Sequence, residues 1–276
     1  MPALPQSSIS SRSVRTCALG VTLGLAMLWA PAAALAQEGA REPRRVRIAI
    51  GPELTPSFPG ADSLSLGPFF EGDIARGDKP FEFEAPDESF GIPVISVAGF
   101  EVGPSFALEG KREVGDIGPG FAQVNRSLEL GGFIQFFPAE SFRLRADIRQ
   151  GVTGHEALVG SLSADWIMRD GDRWLVSAGP RVTLGSGKHQ RTWFGVSPGQ
   201  SLASGLPTFE ADGGVQSVGA AAGFIRQLDR RWSVHGYARY DRLVGDAADS
   251  PIVRAYGSRD QFSGGLAMSY TFWWGR

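Results

Sequence analysis

Between Gln261 and Phe272 the side chains alternate with a period of two. Phe262, Gly264, Leu266, Met268, Tyr270 and Phe272 fall on one face, and Ser263, Gly265, Ala267, Ser269 and Thr271 on the other. Successive side chains of a strand point to opposite faces, so the segment presents one apolar surface backed by a small, polar one. A half-buried strand of a soluble sandwich looks like this. So does a bilayer-crossing barrel strand of roughly 9–11 tilted residues with an apolar outer face. The rest of the chain separates the two readings.

Residues 1–36 read as a cleaved secretory signal: Arg12 and Arg15 precede an uncharged apolar core, Cys17 to Trp29, and Ala34-Leu35-Ala36 fits the small-x-small cleavage rule. The cysteine count is one, Cys17 inside that signal, so the expected mature chain 37–276 has no disulfide, thiolate metal site or thiol nucleophile. No mature segment approaches 18 consecutive apolar residues, which excludes a spanning helix. A membrane home therefore demands a closed barrel, the sheet that satisfies every backbone group in lipid. Without Arg12 and Arg15 there are 25 Lys+Arg against 29 Asp+Glu, a formal charge of −4 that argues against a nucleic-acid partner. With 35 of the sequence's 37 glycines after residue 36 and no helical periodicity after residue 37, the mature chain reads as one all-β domain.

In chain order, Gln37–Arg44 is a polar leader, and Arg45–Glu53 alternates Val46, Ile48 and Ile50 against Arg45, Arg47 and Ala49 as a first strand. Thr55–Asp62 carries turn chemistry, and Leu64–Glu71 is a second strand. Asp73–Ser96 is poorly patterned, with short strands expected near Phe81–Glu84 and Gly91–Ser96. Phe100–Arg112 follows, with Phe100, Val102, Phe106 and Leu108 on one face. Leu128, Leu130, Ile134 and Phe136 then lead to the turn Pro138–Ser141, and Phe142, Leu144, Ala146 and Ile148 return opposite Arg143, Arg145, Asp147 and Arg149. Such a charged face behind a continuous apolar one suits water inside and lipid outside. Two further hairpins turn at Asp170-Gly171-Asp172 and Asp229-Arg230.

Connections alternate in length. Pro138–Ser141, Asp170–Asp172 and Asp229–Arg230 are short; Lys111–Asn125, Ser186–Gly214 and Val244–Asp260 are long. Short periplasmic turns alternating with long outer loops are a barrel property, and Phe136, Phe137, Phe142, Trp166, Trp174, Trp232, Phe272, Trp273 and Trp274 all lie beside a short turn or the C-terminus, as an interfacial girdle would. The prediction is a closed antiparallel transmembrane β-barrel of about twelve strands, ten being the alternative. Gly67-Pro68, Gly103-Pro104 and Gly179-Pro180 resist it, since a proline removes a ladder donor; bulges are the expected remedy.

Chemistry is sparse. His155 and His189 fall in predicted loops and His235 on the lumen face, with no local metal-ligand spacing, so no metal or cofactor is expected. A Ser–His–acid triad assembles in space rather than in sequence, but nothing here marks one, and the chain reads as non-enzymatic. The basic stripe Arg143, Arg145, Arg149, Arg181 and Arg239 invites an anion pore. The alternative is neutralisation by Glu129, Asp147, Asp165 and Asp241 in a plugged or narrow lumen, which a small barrel favours.

Three stretches carry a resemblance: Trp193–Ser197, Ser204-Gly205-Leu206-Pro207 through Gly214, and Tyr240–Val253 with its run Gly245-Asp246-Ala247-Ala248-Asp249-Ser250-Pro251. With Pro59-Gly60-Ala61-Asp62 upstream, they resemble the MipA/OmpV family of outer-membrane proteins. That family's element has serine where Ala61 stands, and Trp273–Arg276 departs from its usual terminal aromatic. The resemblance implies a non-enzymatic barrel in the outer membrane of a Gram-negative cell, in contact with its lipid. It also implies a scaffold for a murein hydrolase and a murein synthase in the periplasm. A narrow solute channel or uptake barrel is the alternative, and a lipid-modifying enzyme a distant third. The motif residues fall in long outer loops, and no catalytic or ligand role transfers to them.

Overall fold

A computed structural model describes residues 43–274; the signal segment and most of the polar leader lie outside them. Twelve strands form one antiparallel sheet: β1 (Arg44–Pro56), β2 (Leu64–Arg76), β3 (Phe90–Gly91), β4 (Ile95–Val97), β5 (Phe100–Glu109), β6 (Ser127–Ala139), β7 (Phe142–Gly151), β8 (Leu158–Asp170), β9 (Trp174–Gly185), β10 (Gly214–Gln227), β11 (Trp232–Leu243) and β12 (Asp260–Trp274). From β4 to β12, and at β1 and β2, neighbours in sequence pair in space, and β12 returns to pair with β1 through Val46↔Phe272 and Ile50↔Met268. The sheet order runs from β2 through β1 and β12 round to β5, with β3 and β4 both paired to β5. Ile92 and Val94 donate to Pro104 O and Val102 O, so β3 and β4 are two pieces of one edge line.

The alternation sorts side chains as the pleat requires. On β7, Leu144 and Ile148 face out while Arg143, Arg145 and Arg149 are buried; on β8, Leu162, Trp166 and Met168 face out while Asp165 is buried. The apolar outer surface continues over Leu66, Ile74, Leu130, Ile134, Leu266 and Met268. Among the described residues no helix is long and apolar enough to cross a membrane.

Two expectations need correction. Among the described residues no ladder joins β2 to β3, β4 or β5, so the hydrogen-bonded ring is interrupted at one seam, spanned by the Phe70 and Phe90 rings with centroids 6.4 Å apart. The reason lies in residues 77–89, where the expected strand at Phe81–Glu84 is absent. That segment leaves the end of β2, turns inside the curl of the sheet and rejoins the edge at Phe90. Phe81, Phe83 and Ala85 still alternate with Glu82 and Glu84, because one side packs inside the sheet and the other is open. The prolines are the second correction. Around Pro104 and Pro180 the registers run straight, without bulges. Instead, Gly103 and Gly179 let a neighbouring carbonyl approach: an added Cβ would stand 1.9 Å from Ile92 O and 1.8 Å from Ala164 O.

The long connections are not loose. They hold four short helices, α1 (Gly187–Phe194), α2 (Pro198–Ser204), α3 (Gly245–Asp249) and α4 (Pro251–Tyr256). At α2, Ser197 Oγ accepts from Gln200 N–H while Gln200 Oε1 accepts from Ser197 N–H, a capping box with Pro198 in the first turn and Gly205 closing the helix at φ 76°. The largest apolar core sits here, across the long-loop rim: Phe58, Ile117, Phe121, Trp193, Phe194, Leu243, Ile252 and Val253 pack into one cap.

Candidate functional site in the sheet interior

Residues 77–89 pass through the interior from the short-turn rim. Phe81 N–H donates to Asp172 Oδ1 at 2.9 Å, and Arg169 Nη1 donates to Phe81 O at 2.9 Å. The Phe81 ring lies under the Arg47 and Arg45 guanidinia, 4.3 and 4.8 Å from its centroid. Above it Phe83 and Ala85 pack on Ile167 and Leu175, and Arg143 lies 4.8 Å over the Phe83 ring.

The acids of this segment then meet the basic stripe. Asp87 accepts from Arg181 Nε and Nη2 and from Arg239 Nη1. Glu88 accepts from Arg143 Nη2 at 2.7 Å and from the Ser163 hydroxyl, with Arg145 Nε 3.7 Å away. Ser89 Oγ donates to Asp147 Oδ1 at 2.6 Å. Wall acids complete the pairing: Asp165 bridges Arg143 and Arg181, Asp147 holds Arg145 and Arg149, Asp241 holds Arg239, and Glu129 holds Arg149. Every predicted lumen charge thus points inward, and Arg143, Arg145, Asp147, Arg149, Asp165, Arg181, Arg239 and Asp241 form one network. Sequence reasoning missed Asp87 and Glu88, although two acids directly after Pro86 in a chain with an arginine stripe were a usable signal. Burying so many charges is tolerated only when each finds partners.

Beside the segment remains a cavity of about 640 Å³, lined among others by Glu53, Phe69, Glu71, Glu84, Tyr237 and Arg239. The Tyr237 hydroxyl donates to Glu53, and His235 Nδ1 lies 2.5 Å from Glu71. Phe70 and Phe106, which belong to the outer face, also line it, so the cavity reaches the seam.

The motif residues build the cap. Ser250 is fully buried; its hydroxyl donates to Phe194 O at 2.7 Å and accepts from Ile252 N–H. Pro251 is buried behind it, Asp246 accepts from Asp212 N–H, and Asp249 pairs with Arg254 and Arg259 on the surface. Gly245 takes φ 54°, Leu206 packs on the cap core, and Pro207 is exposed. Gln261 stitches the upstream motif to β12, accepting from Gly60 N–H and donating to Ala61 O. Arg112 is buried against the Trp193 ring and donates to Trp193 O at 3.2 Å; burial pulls its guanidinium down to about 10.

Two of the three histidines, far apart in sequence, meet under this cap. His155 and His189 stand edge to face with centroids 4.8 Å apart, both buried, beside Glu109 and Glu129. Among the described residues the partnered imidazole nitrogens meet carboxylates and the Ala157 amide.

Comparison with known proteins gives the family. The MipA model, described as MltA-interacting protein MipA, matches residues 48–272, from within β1 to within β12. The chain belongs to the MipA family. The match takes in the wall, the interior segment and all the cap motifs of this MipA-family chain. No curated protein matches. Among solved structures the chain is similar to OprB of Pseudomonas putida at 10% identity, covering 63% of this chain and 44% of that one with a TM-score of 0.35. OprG of Pseudomonas aeruginosa is similar at 9% identity, 84% and 97% coverage and a TM-score of 0.29. The Pseudomonas putida toluene transporter TodX follows at 11% identity, 87% and 91% coverage and a TM-score of 0.30. The chain spans under half the length of OprB.

Proposed function

We propose that this MipA-family chain is a non-conducting, non-enzymatic barrel of the outer membrane. Its short-turn rim faces the periplasm and holds murein-remodelling enzymes there. The observation that carries this reading is the interior segment: Asp87 and Glu88 occupy the arginine stripe that an anion path would need. The packed cap over the long-loop rim adds a second obstruction. The family's description names MltA as an interaction partner, and the apolar outer face supports a lipid setting.

Planar-bilayer recording of the purified protein tests the first half. The expectation is a silent membrane, with conductance steps appearing only when residues 77–89 are deleted; steps from the intact chain would overturn it. Pull-down of murein hydrolases tests the second half. Capture should survive trimming of the cap and be lost when Glu140-Ser141 or Gly171–Arg173 is replaced by a glycine linker. A second reading, uptake of a small solute, draws on the cavity that reaches the seam between Phe70 and Phe106.

A further inference from the structure

Glu109 ends β5, Glu129 lies in β6, His155 in the turn between β7 and β8, and His189 in α1. One ligand atom each of Glu109, His155 and His189 lies within 4.8 Å of the others. His155 Nε2 is 3.3 Å and His189 Nε2 3.4 Å from the same oxygen, Glu109 Oε2. A charge-assisted N–H···O contact is normally about 2.7–2.9 Å. Two ligands on one tetrahedral ion, each about 2.0–2.1 Å from it, stand about 3.3–3.4 Å apart. The Glu109 contacts have the second spacing. Glu129 also sits 2.9 Å from His155 Nε2 and is held by Arg149, so it is a hydrogen-bonded neighbour of the ligating nitrogen that an ion would displace.

Glu109 also lines the interior cavity, which gives a small ion a route to its carboxylate. His189 is fully buried, and its other nitrogen, Nδ1, turns toward Gly185.

We propose that Glu109, His155 and His189 form a binding site for one divalent transition ion of the zinc class, fastening the cap to the wall. Two imidazoles and a carboxylate suit that class better than the oxygen-seeking Ca²⁺ or Mg²⁺. The site would clamp β5, the β7–β8 turn and α1, three elements distant in sequence. Its cost is local. Ala157 N–H donates to His155 Nδ1 at 3.1 Å, which leaves the neutral ring's proton on Nε2. Binding moves that proton to Nδ1 and turns the Ala157 N–H away. The neighbouring Glu156 is held at φ 48°, a left-handed conformation disfavoured for a non-glycine residue, so this peptide is a place where the turn can give. The proposal is independent of what docks on the opposite rim.

The test uses the tag-free mature protein folded in detergent, stripped with chelator and titrated with Zn²⁺ by calorimetry, with Co²⁺ absorption as a second probe. The expected result is one ion per chain, a tetrahedral-type cobalt spectrum, and slower proteolysis of residues 186–213 in the loaded protein. His189→Gln and Glu109→Gln should each weaken binding at least tenfold and abolish the spectrum, whereas His235→Gln leaves both unchanged. If His189→Gln fails to fold, Glu109→Gln at the cavity edge carries the test. No binding to the folded wild type, or binding that neither variant weakens, overturns the proposal.

Discussion

Asp87 and Arg181 face each other as a two-pronged pair, with Arg181 Nε and Nη2 at 2.7 and 2.9 Å from the two oxygens of Asp87. One partner belongs to the interior segment and the other to β9, so the pair pins that segment to the wall. Removing one member of a buried pair strands the other charge, which typically costs about 3–5 kcal/mol. Asp87→Ala should destabilise the protein by about that much in urea titrations followed by gel mobility of the folded form. The double change Asp87→Leu with Arg181→Met should recover part of the loss.

The cap makes a separate prediction. Trp193 is fully buried against Phe58, with ring planes 6° apart and centroids 6.3 Å apart. Trp193→Ala removes a large side chain from a packed site, a change that ordinarily costs about 3–5 kcal/mol. Limited proteolysis should show residues 186–213 and 244–259 cut rapidly, while the sheet itself remains resistant. Loss of the whole fold instead would mean that the cap and the wall unfold as one unit.

Glycine replacements should divide according to what stands beside them. Gly179→Ala drives a methyl group into Ala164 O and should cost about 1–3 kcal/mol. Gly67→Ala meets nothing within 4 Å and should fall within about 0.5 kcal/mol of wild type. Equal effects in the same urea titration would show that Gly67 meets a neighbour in the membrane.

Asp229 sets a pH dependence on the short-turn rim. Its carboxylate accepts from Arg231 N–H at 2.7 Å and Trp232 N–H at 2.9 Å, and these bonds hold it below its ordinary 3.8. Since the folded value is the lower one, the stabilisation is fully present above the ordinary carboxylate range. It disappears as pH falls through the depressed value. Protection of the Arg231 and Trp232 amides relative to their intrinsic exchange rates should therefore fall below about pH 4, and Asp229→Ala should remove that step.

The wall was legible because its physics is local. Each strand from β5 to β12 must turn an apolar side outward at every second residue, and Phe142–Ile148 or Phe262–Phe272 shows that without any partner in view. The interior segment was not legible, because Phe81–Glu84 alternates like a wall strand while its partners, Ile167 and Arg143, lie far along the chain. The helices of the cap left traces that the two-residue pattern hid; Ser197-Pro198-Gly199-Gln200 is a capping signature four residues long. The pairing of His155 with His189 left none, since the residues are carried on different connections and meet only when the cap packs.

At Phe90 the backbone passes from the interior into the wall. A single strand of polypeptide cannot lie inside a cylinder and also complete its circumference at the same height. The interruption beside β2 is therefore set by covalent connectivity, and strengthening the neighbouring ladders will not remove it. Anything that seals the breach has to relocate the Phe90 crossing, and with it the Asp87 and Glu88 anchors three and two residues upstream.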